Sequence, residues 1–390
     1  MRRNDGKQAC IVGIGASRFG RRLPESQTAL AAVAFKQALA DAGLTREDID
    51  GLCINMGFPL GTDYDRFAQA FGLDIRYVSQ TWMHGRFVTM SLQHAALAVE
   101  AGLADVVACV TAISFTRAIP VLGGVDAEDM REEGGTHGES PHYGLTAPAS
   151  GAALGMQRYM HVHGATSEQL AAVPVAFRKH ASLNPAALMR TPITVADHQA
   201  SRFVVEPLHL LDCCLVTDGA VIVLVTSAER ARDLRQKPVR ITGMQGLRTG
   251  REEFIFAPRG MGIAQQNFGR QPARARDLEV YRGAGIERAD VQGLFTYDAF
   301  SPLVLFTLER FGFCGPGEAA GFVQNGSIEI GGELPMNTSG GLLSEAHVGG
   351  WNSIAEMVRQ LRGTAGPRQI PDAACLQWAT AWGDSVILQS

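Results

Sequence analysis

A twelve-residue stretch of the chain occurs twice. DAGLTREDIDGL at 41–52 is echoed by GAGIERADVQGL at 283–294. Ala42/Ala284, Gly43/Gly285, Arg46/Arg288, Asp48/Asp290, Gly51/Gly293 and Leu52/Leu294 are identical, and Leu44/Ile286 and Ile49/Val291 are conservative pairs. Each copy reads as the end of a helix, a glycine stop, a capped turn and the start of a strand. Such a unit is common enough to recur by coincidence. The alternative is a duplicated α/β unit, which constrains the chain to two similar halves whose equivalent positions face each other and build one shared site. The expected division is 1–235 and 236–390, with PVRITGM at 238–244 opening the second half.

The flanking patterns fit an α/β body. ACIVGIGA at 9–16 is a buried strand pattern, and TALAAVAFKQALADAG at 28–43 places alanine and leucine at helical spacing with Gly43 as the stop. ALAVEAGLADVVACVTA at 96–112 repeats helix, glycine and strand. From about 114 to 200 an excursion interrupts the N-terminal half. Its first part is rich in glycine, proline and charge, the kind of segment that often carries binding residues. Two helices are expected after it, the second opened by a capping box from Thr166 to Gln169. CCLVTDGAVIVLVTSAERARDL at 213–234 returns to strand and helix. GIGASRFG does not have the GxGxxG spacing of a dinucleotide-binding turn.

The chain has 390 residues, 46% hydrophobic and 19% charged, the balance of a well-buried globular protein. Its net charge of −4 argues against a nucleic-acid partner, which needs a basic face. The N-terminus shows no signal-peptide pattern, and the most apolar run, at 220–227, is too short to span a bilayer. No membrane insertion is expected. The seven cysteines are scattered, several in apolar runs, which reads as reduced thiols in a cytoplasmic protein. No CxxC or His/Cys cluster suggests a metal site.

The run NTSGGLLSEAHVGG at 337–350 carries a specific resemblance. Thiolases have Asn-Pro-Ser-Gly-Gly-(Leu/Ile)-(Leu/Ile)-Ser-x-Gly-His-Pro-x-Gly here. Asn337, Ser339, Gly340, Gly341, Leu342, Leu343, Ser344, His347 and Gly350 match, while Thr338, Ala346 and Val348 depart. IVGIGASRFGRR, LLDCCLVTDGAVIVLVTS and YDAFSPLVLFTLERFGFCGPGEA also resemble the family, the first and last its sterol-carrier-protein branch. The resemblance spans the whole chain. It implies a five-layered αβαβα thiolase fold, a homodimer, and an acyl-CoA substrate with no covalently bound cofactor.

The resemblance also implies two cysteines that are missing. A thiolase nucleophile sits at the N-terminus of a buried helix, which should begin within 79–102, where Met83, His84, Gly85, Arg86 and Phe87 stand. The second cysteine precedes a glycine turn near the C-terminus, where QWATAWGDSVIL has Gly383 only. Opposite the histidine loop is Tyr297-Asp298, similar to the cysteine-free lipid-transfer-protein type aldolases of steroid side-chain breakdown, although these have tyrosine where this chain has His347. That branch implies retro-aldol cleavage of a bulky β-hydroxyacyl-CoA, and a separate small zinc-ribbon/OB-fold partner in a heterotetramer.

Retro-aldol chemistry needs a base at the β-hydroxyl, donors for the enolate and a proton for Cα, and no covalent intermediate. Tyr297 and His347 are the expected proton-transfer pair, with acid and base unassigned between them. Asp298 braces the loop. Gly340, Gly341 and Gly350 allow close backbone approach, and Gly383 holds the C-terminal turn. A helix beginning near Glu345 is expected to aim its N-terminus at the site. His84 and Tyr143 are weaker substrate-contact candidates. Two rivals remain: an acyltransferase doing Claisen chemistry on a β-ketoacyl-CoA, and a non-catalytic acyl-CoA or lipid-binding member of a complex.

Overall fold

The computed structural model describes residues 5–56, 64–81, 85–114, 148–247 and 278–390. His84 and Tyr143 lie outside them, as does the first part of the excursion.

The first half begins with β1 (Ala9–Ala16), α1 (Gln27–Ala42), β2 (Gly51–Asn55), α2 (Tyr64–Phe71), β3 (Tyr77–Thr81), α3 (Val88–Glu100) and β4 (Val106–Ser114). Ser26 caps α1 by accepting from Ala29 N, and Gly43 ends it at φ 74°, the left-handed C-cap that glycine adopts without steric cost. The excursion contributes α4 (Pro148–His163), α5 (Ser167–Ser182) and the short α6 (Val195–Ala200). The capping box of Thr166 and Gln169 opens α5 as expected. A small hairpin, β5 (Phe203–Val205) and β6 (Leu208–His209), precedes β7 (Asp218–Ser227) and α7 (Ala228–Ala231). Next come β8 (Val239–Gln245), α8 (Glu279–Ala284), β9 (Leu294–Thr296), α9 (Ser301–Arg310) and α10 (Ala319–Phe322). The chain closes with α11 (Gly341–Ser344), α12 (Trp351–Leu361), β10 (Cys375–Ala379) and β11 (Ser385–Gln389).

Nine of these strands form one sheet in the order β3-β2-β4-β7-β1-β8-β11-β10-β9. The order is a reflection about the antiparallel β1–β8 pair, where Cys10 faces Arg240 and Ile11 faces Val239. From that seam outwards each half repeats one pattern. β7 and β11 pair antiparallel with β1 and β8. β4 and β10 follow, antiparallel, and β2 and β9 pair parallel with them.

The repeated sequence is therefore a repeated structure. Gly43 and Gly285 end α1 and α8 at φ 74° and 70°. Arg46–Asp48 and Arg288–Asp290 are equivalent single 3-10 turns. Asp50 accepts from the backbone N–H groups of Asp105 and Val106 at the head of β4. In the second copy Gln292 does the same for Ala374 and Cys375 at the head of β10. The first strands match too. A Cβ on Gly13 would meet Ala38 O and Ala42 Cβ of α1, and one on Gly243 would meet Val280 O and Ala284 Cβ of α8.

β4 and β7 are covered on both faces, so they are apolar almost throughout rather than alternating; β7, DGAVIVLVTS, is buried from Asp218 to Thr226. In the first half one face packs Cys10, Val12, Ile222 and Leu224 against Leu30, Ala34 and Phe35 of α1. The opposite face packs Ile11, Val223 and Val225 with Leu92 and Ala95 of α3 and Ile354 and Val358 of α12. Each such aliphatic side chain contributes about 1.5–3 kcal/mol on burial. The inner helices α3 and α12 thus lie between strands of both halves. The described part of the excursion does not float as a cap. α4 and α5 pack on α9, and α5 also on α11, of the second half. Among the described residues no helix is long and apolar enough to cross a membrane.

Candidate active site

Three segments distant in sequence meet at His347. The first carries Tyr297, the residue after β9. Asn337, at a positive φ of 40°, holds the end of that strand like a neighbouring strand would: Thr296 N donates to its Oδ1 at 2.9 Å, and its Nδ2 donates to Thr296 O at 3.0 Å. Tyr297 is 4% exposed, and its hydroxyl lies 3.0 Å from Nε2 of His347. The expected pair is in contact, with ring centroids 5.7 Å apart.

The second segment is the glycine-rich run itself. Gly340 and Gly341 take φ of 104° and 58°, which favours glycine. A Cβ on Gly341 would lie 2.2 Å from Asp298 Oδ2, and one on Gly340 2.6 Å from Ala181 Cβ of α5. This closeness lets the Asp298 carboxylate accept from Leu342 N at 3.0 Å and Leu343 N at 3.2 Å, capping α11. Asp298 is fully buried, and burial pushes its pKa up to about 7 despite those two bonds.

One expectation fails here. No helix begins near Glu345, which instead ends α11. Gly349 and Gly350, at φ 62° and 95°, break the chain before α12 begins at Trp351. Gly350 also packs on Trp378, with no room for a Cβ. The Glu345 side chain turns inward, accepting from Asn184 Nδ2 at 3.0 Å and Asn352 Nδ2 at 2.8 Å. Burial holds its pKa above the ordinary value. It clamps the loop rather than opening a helix towards the ligand.

The third segment, 213–217, comes from the first half and was not among the expected site residues. Cys214 N donates to Ala299 O at 2.9 Å and Leu215 N to Leu342 O at 3.0 Å, so the strap ties the tyrosine and histidine loops together. Thr217 Oγ1 accepts from His347 N at 2.9 Å and donates to His347 O at 3.1 Å. Cys214 Sγ lies 3.5 Å from His347 Nδ1, within range for a sulfur hydrogen bond. The sequence had shown only a cysteine pair ahead of an apolar strand, with nothing local to link it to a residue 133 positions away.

The two places where thiolases keep cysteines are filled differently. Gly85 leads into α3 and lies against Tyr297: a Cβ there would sit 1.9 Å from Tyr297 Cδ2. The tyrosine ring takes the space that any side chain at 85 would need. At the C-terminal turn, Gly383 has φ 83° and its carbonyl accepts from Gln245 Nε2. The neighbouring Trp382 places its ring 5.9 Å from that of Tyr297. Gly85 and Trp382 are thus site-shaping residues whose partner is nonlocal. The sequence marked both stretches as places where a thiolase keeps a cysteine, but not their contact with Tyr297. Among the described residues no cluster of His, Cys, Asp or Glu is arranged to hold a metal ion.

A buried phenol and an imidazole in hydrogen-bond contact can pass a proton between them and exchange it with a bound ligand. The thiol beside them is a poor nucleophile, because desolvation, with Cys213 and Asp298 adding to it, holds Cys214 protonated well above the ordinary thiol range.

Residues 261–387 match the thiolase C-terminal domain-like family. The chain is 44% identical to a 17-hydroxy-3-oxo-4-pregnene-20-carboxyl-CoA lyase of Mycobacterium tuberculosis over 92% of each chain. It is 39% identical to a steroid side-chain-cleaving aldolase of Thermomonospora curvata, over 92% of this chain and 91% of that one. Among solved structures, the Ltp2-ChsH2(DUF35) aldolase superposes with a TM-score of 0.84 at 37% identity, covering 99% of this chain and 98% of that chain. Human mitochondrial 3-ketoacyl-CoA thiolase shares the fold, with a TM-score of 0.67 at 16% identity. The chain belongs to the thiolase superfamily, in the branch of steroid side-chain-cleaving, thiolase-like aldolases.

Proposed function

We propose that this chain is a CoA-thioester aldolase that cleaves a bulky β-hydroxyacyl-CoA, of the steroid side-chain class, by a retro-aldol reaction without a cysteinyl intermediate. The observation that carries this reading is the 3.0 Å contact of Tyr297 with His347, in a site whose neighbouring thiol is held protonated. Tyr297 and His347 share the two proton transfers. One of them accepts the β-hydroxyl proton as the carbonyl forms and the Cα–Cβ bond breaks. The electron pair moves into the thioester enolate, and Cα then receives a proton, so no net proton is consumed. Imidazole titrates near neutrality and suits either role. For a 17-hydroxy-pregnene-20-carboxyl thioester, the substrate class in the mycobacterial relative's name, this chemistry yields a 17-ketone and propanoyl-CoA.

The likeness to an aldolase solved with a DUF35 protein supports a separate small partner of zinc-ribbon/OB-fold type in a heterotetramer. A homodimeric core, a cytoplasmic location and a division of the chain at 235/236 belong to the same reading. The test is incubation of the purified chain, with its partner, and such a thioester. The expected outcome is ketone and shortened acyl-CoA in equal amounts, and no acyl adduct in the intact-protein mass. The nearness of Cys214 to His347 is the one feature that favours an acyltransferase instead. An adduct on Cys214, with CoA-dependent thiolysis of a β-ketoacyl-CoA, would replace the aldolase reading with that one.

A further inference from the structure

The strap Cys213–Thr217 has no assigned role, yet it touches both loops that carry the proton-transfer pair. Its backbone binds Ala299 and Leu342, and Thr217 holds both backbone polar groups of His347. With the histidine backbone pinned, the remaining freedom of the side chain is rotation about its two bonds, including a ring flip that would exchange the carbon and nitrogen edges. Nδ1 faces Cys214 at 3.5 Å while Nε2 faces Tyr297 at 3.0 Å.

We propose that Cys214 is a positioning residue of the active site, whose thiol engages Nδ1 of His347 and so fixes the ring orientation and tautomer that present Nε2 to Tyr297. This rests on the assignment of Tyr297 and His347 as the proton-transfer pair. A catalytic histidine is commonly held at its far nitrogen by a carboxylate, which orients the ring and also favours the imidazolium. A thiol orients the ring without a negative charge behind it. Among the described residues, ionisable groups around the pair include Tyr297 at Nε2 and Cys214 at Nδ1, with Cys213 and Asp298 acting on Cys214 and Glu345 acting on Asp298. Burial raises the proton affinity of Cys214, Asp298 and Glu345 alike. With the thiol donating to Nδ1, the ring proton sits on Nε2, the nitrogen that faces the Tyr297 hydroxyl.

The test compares Cys214→Ala and Cys214→Ser with the unmodified protein, each in complex with its partner. Nitrogen-15 spectra of labelled histidine, with His347 assigned through His347→Gln, report the tautomer without turnover. The unmodified protein and C214S are expected to show one tautomer at His347, and C214A an exchange-averaged mixture. In C214A kcat falls about tenfold with KM within twofold, and C214S restores most of the loss. A single unchanged tautomer in C214A, or equal activity loss in C214A and C214S with unchanged spectra, overturns the proposal. Full activity of H347Q would instead refute the assignment of the pair, leaving the tautomer result to stand or fall by itself.

Discussion

Gly85→Ala is the smallest change that tests how the site is built. The backbone at Gly85 is not in the left-handed region, so alanine carries no conformational penalty there. The obstacle is the tyrosine ring. The new methyl would lie 1.9 Å from Tyr297 Cδ2, 2.3 Å from Cε2 and 2.4 Å from Cγ, whereas carbon atoms rest about 3.5 Å apart or more. The ring or the start of α3 must retreat by roughly 1.5 Å. Tyr297 is backed by Trp382 and His347, so it has little room. A swing of that size lengthens the 3.0 Å bond to His347 beyond hydrogen-bond range. Overpacking costs about 1–3 kcal/mol of stability, which a domain with this much buried core tolerates, while misplacing a catalytic group by about 1 Å costs on the order of 10²-fold in rate. Steady-state release of shortened acyl-CoA should therefore show kcat/KM down about 10²-fold, with a cooperative thermal transition retained. A folded G85A enzyme with kcat/KM within threefold of the unmodified protein would refute the reasoning that Gly85 sets the position of Tyr297.

Other consequences follow from the buried carboxyls and the glycine pair. Gly341→Ala forces a methyl against Asp298 at a φ of 58° and breaks its two N–H bonds. A loss on the order of 3–5 kcal/mol is expected, read as a lowered urea midpoint, and an unchanged midpoint would count against the brace. Asp298 and Asp384 titrate at about 7 and about 6 in the folded chain, raised from 3.8 by burial. The folded state then binds more protons than the unfolded state between pH 4 and 7, so these groups favour folding fully below about pH 4 and lose that contribution as pH rises through 6 to 7. The thermal midpoint should fall from pH 5 to pH 8, and fall less in Asp384→Asn, whose amide keeps an acceptor for one of Thr89 and Thr380 and turns a donor to the other. A steeper fall in the variant would reverse the sign of this argument.

Local patterns in the chain exposed much of the architecture. β1 was legible as 9–16 and α1 within one residue at each end, because strand runs, helical spacing and a glycine stop act over neighbouring residues. The twelve residues that occur twice do the same job in each copy, ending a helix and leading into the strand that pairs parallel with β4 or β10. The site was legible only where a local motif carries its chemistry. Tyr297, Asp298 and His347 were visible in their motifs. Cys214 and Thr217 were not, and for Gly85 and Trp382 only their stretches of chain were, since their roles exist only after the sheet has brought distant segments together. The helix expected near Glu345 fails for a related reason. The Glu345 carboxylate is taken up by Asn184 and Asn352, and two left-handed glycines follow before α12 begins.

The most direct test of the account is the turnover of Tyr297→Phe on a 17-hydroxy-3-oxo-4-pregnene-20-carboxyl-CoA type thioester, in the presence of the partner protein. Phenylalanine keeps the ring against Gly85 and removes only the hydroxyl that meets His347. The account predicts ketone formation slowed by about 10²- to 10⁴-fold, with a thermal midpoint close to that of the unmodified protein. Ketone formation at the unmodified rate would contradict it.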